Sequence, residues 1–129
     1  MPKSKLTLSI LREQLAVCRL EANAKIPAWA LNSDSLSSIT RTRDELSIVC
    51  LEANIPEGIK VEKNWRAFKV EGPLDFSLTG ILASLANPLA EASISIFAIS
   101  TFDTDYLLVR ADKFEAAAKV LAKSCNIKY

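Results

Sequence analysis

The chain has 129 residues and half of them are apolar, which is enough for one compact core or for two small lobes. Its formal net charge is +1 and it has no dense basic stripe, so we expect no nucleic-acid partner. It contains no histidine, so an enzyme built on this chain would need carboxylate, lysine or cofactor chemistry instead.

The three cysteines, Cys18, Cys50 and Cys125, are far apart in the sequence and lie in apolar segments. An odd number of cysteines without a CxxC pair argues against a disulfide framework and against a zinc site. We therefore expect buried thiols in a reducing compartment, and a cytoplasmic protein.

The sequence lacks the patterns of several protein classes. GxGxxG, P-loop and GxSxG motifs are absent, so we predict no cofactor and no catalytic residue. The uncharged stretch 76–90 contains Gly80 and Pro88 and is shorter than the about 20 residues of a spanning helix, so we expect no membrane partner. The first five residues lead into a short alternating strand, and we expect no signal peptide.

The first half of the chain predicts strands and little helix. Arg19 to Glu21 belong to a first strand, a helical stub remains near residues 27–31, and a hairpin follows at residues 39–49. Residues 53–58 read as a loop where a second helix would be expected, and residues 57–64 connect this half to the next.

The second half begins with a strand and a helix. Residues 66–71 alternate between polar and apolar side chains, which predicts a strand that Gly72 and the following proline end. Apolar residues at helical spacing predict a helix from Ser77 onwards, which Pro88 kinks or shortens.

A hairpin and a second helix follow. Residues 94–100 and 105–110 are rich in β-branched and aromatic residues and predict two strands joined by a polar turn. Asp112 with Glu115 predicts a capping box at the start of the second helix, and residues 126–129 predict a last strand. This order is the split βαβ, ferredoxin-like arrangement.

The two halves show a weak internal repeat. Residues 39–49 align without gaps on residues 99–109, at an offset of 60 (99 − 39), and Arg19 to Glu21 align on Lys69 to Glu71 at an offset of 50 (69 − 19). The first copy therefore lacks about ten residues (60 − 50), where the second copy has its first helix. We predict an α+β fold of two ferredoxin-like lobes in tandem, residues 1–62 and 63–129, the first with reduced helices.

The loop before the predicted helix is one candidate site. Asp75 or Ser77 is the predicted N-cap, and Gly80 falls in the first turn, where glycine costs about 1 kcal/mol relative to alanine. A glycine there suggests a close approach to the backbone, and a helix N-terminus suits a carboxylate. Alternatively, Ser77 only caps the helix and Gly80 only permits close packing.

The polar turn between the last two long strands is the other candidate. Asp103 is predicted to be solvated, whereas Asp105 re-enters the strand, where a lone carboxylate facing inward is costly without a cation. The ammonium or guanidinium group of a ligand would satisfy Asp105, and so would a neighbouring lysine or arginine.

The segment "VEGPLDFSLTGILASLANPLAEASISIFAISTFDTDYLLV", and above all "DFSLTGI" and "STFDTDYLLV", resembles the small tandem ACT-domain proteins. These are similar to the ACT modules of aspartate kinase and of the cytosolic arginine sensors of animals. The resemblance extends over the whole chain and is looser in the first half. It implies βαββαβ modules that bind small ligands, usually amino acids, and regulate enzymes.

The resemblance also implies a ligand site between two ACT modules, against the loop after the first strand and the end of the second strand. Matched by motif, the ligand-binding residues are Asp75, Ser77, Thr79, Gly80, Ile81, Ser100, Thr101, Phe102, Thr104 and Asp105. In the first half Arg41 and Arg43 replace Thr101 and Asp103, which argues against an equivalent second pocket.

We therefore expect a non-catalytic regulatory module that binds an amino acid or a similar small ligand and forms a homodimer or a higher homo-oligomer. Because no catalytic domain is attached, a regulated enzyme would be a separate chain. The alternative is a structural or protein-interaction ACT-like dimer with a vestigial pocket.

Overall fold

The structure of the protein is a computed structural model that describes residues 6–32, 34–72 and 80–129. In chain order, the strands among these residues are β1 (Leu6–Ile10), β2 (Leu15–Leu20), β3 (Ser38–Arg41), β4 (Leu46–Leu51), β5 (Lys60–Val70), β6 (Phe97–Ser100), β7 (Asp105–Arg110) and β8 (Cys125–Lys128). The helices are α1 (Ala28–Leu31), α2 (Ile81–Glu91) and α3 (Phe114–Leu121), and 3-10 turns cover Glu52–Asn54 and Ala111–Lys113.

The fold is of the α+β type, with a mixed sheet and few helices. It divides into two compact units, which we call the N-terminal unit (residues 13–65) and the C-terminal unit (residues 6–12 and 66–129). Strand β1 therefore belongs to the C-terminal unit. The domain boundary predicted at residues 62 and 63 stays a prediction.

The N-terminal unit is an antiparallel sheet in the order β3-β4-β2-β5, with β5 contributing its first residues. Leu46, Ile48 and Cys50 alternate along β4 and face one side, where they are fully buried together with Cys18 and Ala30. The four-residue helix α1 contributes Ala30 to this core. The prediction of strands with little helix in this part of the chain is confirmed.

The C-terminal unit has the sheet order β6-β7-β5-β1-β8, in which β1 pairs antiparallel with β5 and parallel with β8. Helices α2 and α3 pack against each other. Its buried core combines residues of the sheet and of both helices: Leu8, Phe68, Val70, Leu85, Leu89, Ile94, Leu107, Val109, Phe114, Ala117, Ala118, Leu121 and Cys125.

An aromatic pair and a cation strengthen this core. The rings of Phe68 and Phe114 are stacked, with centroids 4.4 Å apart and an angle of 11° between their planes. The guanidinium carbon of Arg66 lies 4.4 Å from the centroid of the Phe114 ring. Arg66 also donates from Nε and Nη2 to the carbonyl oxygen of Leu11, at 3.3 and 3.1 Å.

Helix α2 begins at Ile81 and continues through Pro88 to Glu91. The predicted start near Ser77 lies outside the described residues. The placement of Gly80 in the first turn is wrong, because Gly80 occupies the N-cap position with a left-handed φ of 75°. Its role is therefore to adopt a backbone conformation that other residues rarely adopt.

The strand predicted at residues 94–100 is shorter than expected, since β6 begins at Phe97. The preceding residues end helix α2 in a Schellman-type motif. Ser93 has a φ of 61° and its N–H donates to Ala90 O at 2.9 Å, while the Ile94 N–H donates to Leu89 O at 2.8 Å. Ile94 is thereby drawn into the core and out of the strand.

The predicted capping box of the second helix is wrong. Strand β7 ends at Arg110, and the chain enters the 3-10 turn Ala111–Lys113 directly, so Asp112 lies inside that turn. Helix α3 begins at Phe114 after Lys113, which makes no side-chain cap. The last strand, predicted at residues 126–129, is confirmed as β8.

Within the described ranges, none of the helices has the length and apolar character needed to cross a bilayer.

Candidate functional site

The turn between β6 and β7, residues 101–104, is closed by two threonines. The Thr101 N–H donates to Thr104 O at 2.8 Å, and the Thr101 hydroxyl donates to the same oxygen at 3.0 Å. The Thr104 N–H in turn donates to Thr101 Oγ1 at 3.2 Å. These three hydrogen bonds fix the backbone of the turn.

A fourth hydrogen bond attaches the turn to the end of β5. The Thr104 hydroxyl donates to the carbonyl oxygen of Val70, the last residue of β5. Thr104 is the only polar or charged residue buried among the described residues, with 6 % of its surface exposed. The hairpin therefore lies beside the point where β5 leads into the predicted ligand loop.

The other hairpin residues of the predicted site surround this attachment. Ser100 and Asp105 are opposite each other as the last pair of β6 and β7, with Ser100 exposed and Asp105 half-buried. Phe102 is at the tip of the turn and 80 % exposed. Thr101 is exposed as well.

The carboxylate of Asp105 makes no hydrogen bond or ion pair within residues 6–32, 34–72 and 80–129. An arginine or lysine of this described part thus does not neutralise it. The sequence allowed two partners for Asp105, a cationic group of a ligand or a neighbouring lysine or arginine. The second is not observed among the described residues.

The loop side of the predicted site is described only at its end. Asp75, Ser77 and Thr79 lie outside the described residues. Gly80 is exposed, and the space where a Cβ atom would lie is open, with no atom within 4 Å. Ile81 is half-buried as the first residue of α2, and the first helical hydrogen bond runs from the Ser84 N–H to Gly80 O at 2.9 Å.

The N-terminal unit contains a turn of the same construction at residues 42–45. There the Thr42 N–H donates to Glu45 O at 2.9 Å, and the Glu45 N–H donates to Thr42 Oγ1 at 3.2 Å. The hydrogen bonds of Thr42 thus match those of Thr101.

The two hairpins correspond at an offset of 59 residues (97 − 38), because β3 starts at Ser38 and β6 at Phe97. The strands β4 and β7 show the same offset (105 − 46). The sequence alignment at an offset of 60 is therefore wrong by one residue. Thr42 and not Arg41 corresponds to Thr101, and Arg43 corresponds to Phe102.

The sequence did not indicate that Cys18 and Cys50 are neighbours. Ala16 pairs with Cys50 and Cys18 pairs with Ile48, so both thiols lie on one face of adjacent strands, where the Cys50 thiol donates to Leu51 O at 3.6 Å. Interaction with the Cys50 sulfur, and then burial, raises the pKa of Cys18, and the same interaction lowers the pKa of Cys50. The prediction that all three cysteines are buried free thiols is confirmed.

Two surface clefts contain none of the predicted site residues. One, of about 440 Å³, lies between the end of α2 and the segment before β6 and is lined by Ala86, Ala90, Ser93, Ile94, Ser95 and Ile96. The other, of about 290 Å³, is lined by Glu13, Asn32, Asp34, Ser35 and Leu51. In the described ranges, acidic and cysteine side chains nowhere gather in a group of three or more that could hold a metal ion.

Comparison with known protein families identifies both parts of the chain. The model of a family described as the ACT domain matches residues 60–123. A second family model, described as an N-terminal domain, matches residues 13–58.

Among characterised relatives, the human protein named cytosolic arginine sensor for mTORC1 subunit 1 is 43% identical over 60 residues. The match covers 46% of this chain and 18% of that protein, so the chain spans less than a fifth of this relative.

Two solved structures extend the comparison to the whole fold. A crystal structure of a protein from Agobacterium tumefaciens is 44% identical, with a TM-score of 0.90, and the match covers 97% of this chain and 93% of that one. The regulatory subunit of aspartate kinase from Thermus thermophilus is 10% identical with a TM-score of 0.65, covering 95% and 99% of the two chains. At that identity the second match shows a shared fold alone.

Proposed function

The chain belongs to the ACT-domain family, and from this membership we propose that it is a regulatory module without catalytic activity that binds an amino acid or a similar small ligand. The proposed site combines the loop after β5 with the hairpin turn at residues 101–104. The main observation in support of the proposal is that the Asp105 carboxylate is half-buried and has no hydrogen bond or ion pair among the described residues.

Asp105 occupies a place where the fold does not need a charge. Its counterpart in the N-terminal unit, at the start of β4, is the fully buried Leu46. A half-buried carboxylate without a partner in the described part of the chain is available to bind a cation. The ammonium or guanidinium group of a ligand supplies such a cation.

The start of α2 is suited to the opposite end of an amino acid. A helix N-terminus has free N–H groups and a partial positive charge, both of which favour a carboxylate. Gly80 at the N-cap position has no side chain to satisfy these groups, and the first turn contains no acidic residue. In our proposal these N–H groups bind the ligand carboxylate, and Thr79 or Ser100 adds a neutral hydrogen bond.

The ligand is best sought with all twenty amino acids, beginning with L-arginine. One relative is named a cytosolic arginine sensor, and a guanidinium group is the bidentate partner of a carboxylate. In a thermal-shift experiment, a ligand at one hundred times its dissociation constant should raise the free energy of unfolding by about 2.7 kcal/mol. A panel in which no amino acid raises the melting temperature would instead favour the structural protein with a vestigial pocket.

Asp105→Ala tests the site directly. We expect this change to abolish binding in calorimetry and to alter the free energy of unfolding by no more than about 0.5 kcal/mol, because the carboxylate has no described partner to lose. Asp103→Ala, in the exposed turn, is the matched control and should leave both quantities unchanged. A large loss of stability in Asp105→Ala with unchanged affinity would mean that Asp105 is structural.

We also propose the finer architecture that the repeat suggests, a tandem of two ferredoxin-like lobes with reduced helices in the first. The matching hairpins and the 3-10 turns that follow them support this proposal.

Strands β3 and β6 each end a sheet among the described residues, and such unpaired edges support a homodimer, for which light scattering should give twice the monomer mass. Three free cysteines support a cytoplasmic location.

A further inference from the structure

We propose that Thr104 is a positioning residue of the ligand site and does not itself contact the ligand. This inference rests on the proposed function, because it assigns a role within the same site. It changes the role that the family resemblance implied, in which Thr104 was one of the ligand-binding residues.

The hydrogen bonds of Thr104 leave it little capacity for a ligand. A threonine hydroxyl has one hydrogen to donate, and Thr104 donates it to the carbonyl oxygen of Val70. The backbone N–H and carbonyl of Thr104 are both bonded to Thr101. With 6 % of its surface exposed, the side chain is also out of reach of a ligand in solution.

The Thr104 hydroxyl is not needed to form the turn. The turn at residues 42–45 has the same bonds through Thr42, and Glu45 takes the place of Thr104. An ionised glutamate carboxylate cannot donate a hydrogen bond to a backbone carbonyl. The bond from Thr104 to Val70 is therefore an addition that the C-terminal unit makes to a turn of this kind, and in our proposal it keeps the turn closed for a larger fraction of the time.

This added bond attaches the hairpin side of the proposed site to the end of β5. Val70 is the last residue of β5, two residues before Gly72, where the ligand loop begins. Asp105 directly follows Thr104 and opens β7. One buried hydrogen bond thus determines where the carboxylate lies with respect to the start of the loop, and a preorganised site binds more tightly because less freedom is lost on binding.

Thr104→Val is the central test, because valine keeps the shape and removes only the hydroxyl. Two quantities are measured: the exchange rate of the Thr101 amide proton in the ligand-free protein, by NMR, and the dissociation constant for L-arginine, by calorimetry. Thr104→Ser retains the hydroxyl, Thr104→Ala is a second variant without it, and Thr42→Val removes from the other turn the hydroxyl that corresponds to that of Thr101.

If Thr104 positions the site, Thr104→Val and Thr104→Ala should accelerate exchange of the Thr101 amide and weaken arginine binding, each by about tenfold or more, the size expected for a lost buried hydrogen bond. Thr104→Ser should restore both quantities to within about threefold of the wild-type values. Thr42→Val should leave the arginine affinity unchanged.

Two results would overturn the proposal. If the variants without the hydroxyl bind L-arginine more weakly while the exchange rate of the Thr101 amide is unchanged, Thr104 contacts the ligand directly. If the Thr101 amide exchanges faster while the affinity for L-arginine is unchanged, the role of Thr104 is structural only. If the wild-type protein binds none of the twenty amino acids, the proposed function fails, and the exchange rates alone decide whether Thr104 holds the turn on β5.

Discussion

The turns at residues 42–45 and 101–104 share three internal hydrogen bonds and have different surroundings. In both, a threonine at the first position accepts from and donates to the residue three positions later. The second turn alone has a buried hydroxyl, of Thr104, bonded to a neighbouring strand. The local sequence is thus sufficient for the turn, and the difference between the two regions arises from tertiary contacts.

The residues that follow the two turns differ more strongly. Leu46 is fully buried at the start of β4, whereas Asp105 at the start of β7 is half-buried and charged. One position of the hairpin is therefore part of the core in one unit and a half-buried carboxylate, our proposed ligand contact, in the other.

The largest effect on stability is expected when a carboxylate like that of Asp105 is placed at the equivalent position of the N-terminal unit, Leu46. Leu46→Asp removes a fully buried leucine, which by itself costs about 2–5 kcal/mol, and adds a buried carboxylate without a partner. We expect the N-terminal unit to unfold, as seen in a loss of amide protection in β2 and β4. Leu31→Asp, at a leucine that is 64 % exposed, is the control and should keep this protection. A folded Leu46→Asp protein would show that the two positions are interchangeable.

An intermediate effect is expected at Arg66, which is half-buried and packs against the core residue Phe114. Arg66→Met keeps an apolar chain against Phe114 and removes both the cation and the hydrogen bonds to Leu11 O. We expect a loss of about 1–3 kcal/mol in urea unfolding, since the carbonyl loses a charged donor. Arg43→Met, at the exposed tip of the other turn, should change stability by less than about 0.5 kcal/mol. Equal urea midpoints for Arg66→Met and Arg43→Met would contradict the stabilising role of the Arg66 cation and its hydrogen bonds.

The smallest effect is expected at Glu71, just after β5. The hydroxyl of Ser9, and secondarily Lys128 and Lys69, hold the pKa of the Glu71 carboxyl below its usual range. A carboxyl with a lower pKa in the folded state stabilises the fold above its unfolded-state pKa. That contribution is lost as the pH falls through the folded-state pKa.

Glu71→Gln removes this contribution, so we expect it to lower stability slightly at pH 7 and to converge with the wild type in acid. Glu21→Gln is the control, because Glu21 aligns with Glu71 in the repeat and is 84 % exposed beside Arg19. Urea melts of the three proteins between pH 2 and neutrality measure the difference. A stability difference between Glu71→Gln and the wild type that does not depend on pH would exclude the carboxylate as its source.

Regular patterns made most of the elements predictable. Alternating residues marked the end of β5, and β-branched and aromatic residues marked β6 and β7. The internal repeat marked β2 and the first hairpin, and the spacing of Leu82, Leu85 and Leu89 marked α2. The element ends were less predictable. Ser93 adopts a left-handed conformation that usually indicates glycine, and Asp112 had the sequence of a helix cap but lies inside a 3-10 turn.

The repeat shows why a pattern can be right and its register wrong. Aligning Ile39 on Ile99 matched more apolar residues along the two strands, whereas the hydrogen bonds place Thr42 on Thr101. Apolar side chains can replace one another within a strand, so they fix a register poorly. The turn fixes it, because its bonds require a hydroxyl at one position.

The sequence by itself determined the α+β order of the elements, the hairpin with its polar turn and the burial of the cysteines, because periodicity and turn chemistry act over a few neighbouring residues. The ACT family was indicated by the resemblance of the quoted motifs. The tertiary structure alone decided that Cys18 contacts Cys50 and that Thr104 bonds to Val70. These residues are 32 (50 − 18) and 34 positions apart. Such contacts depend on which strands pair and in which register, and this is settled only when the whole core is packed.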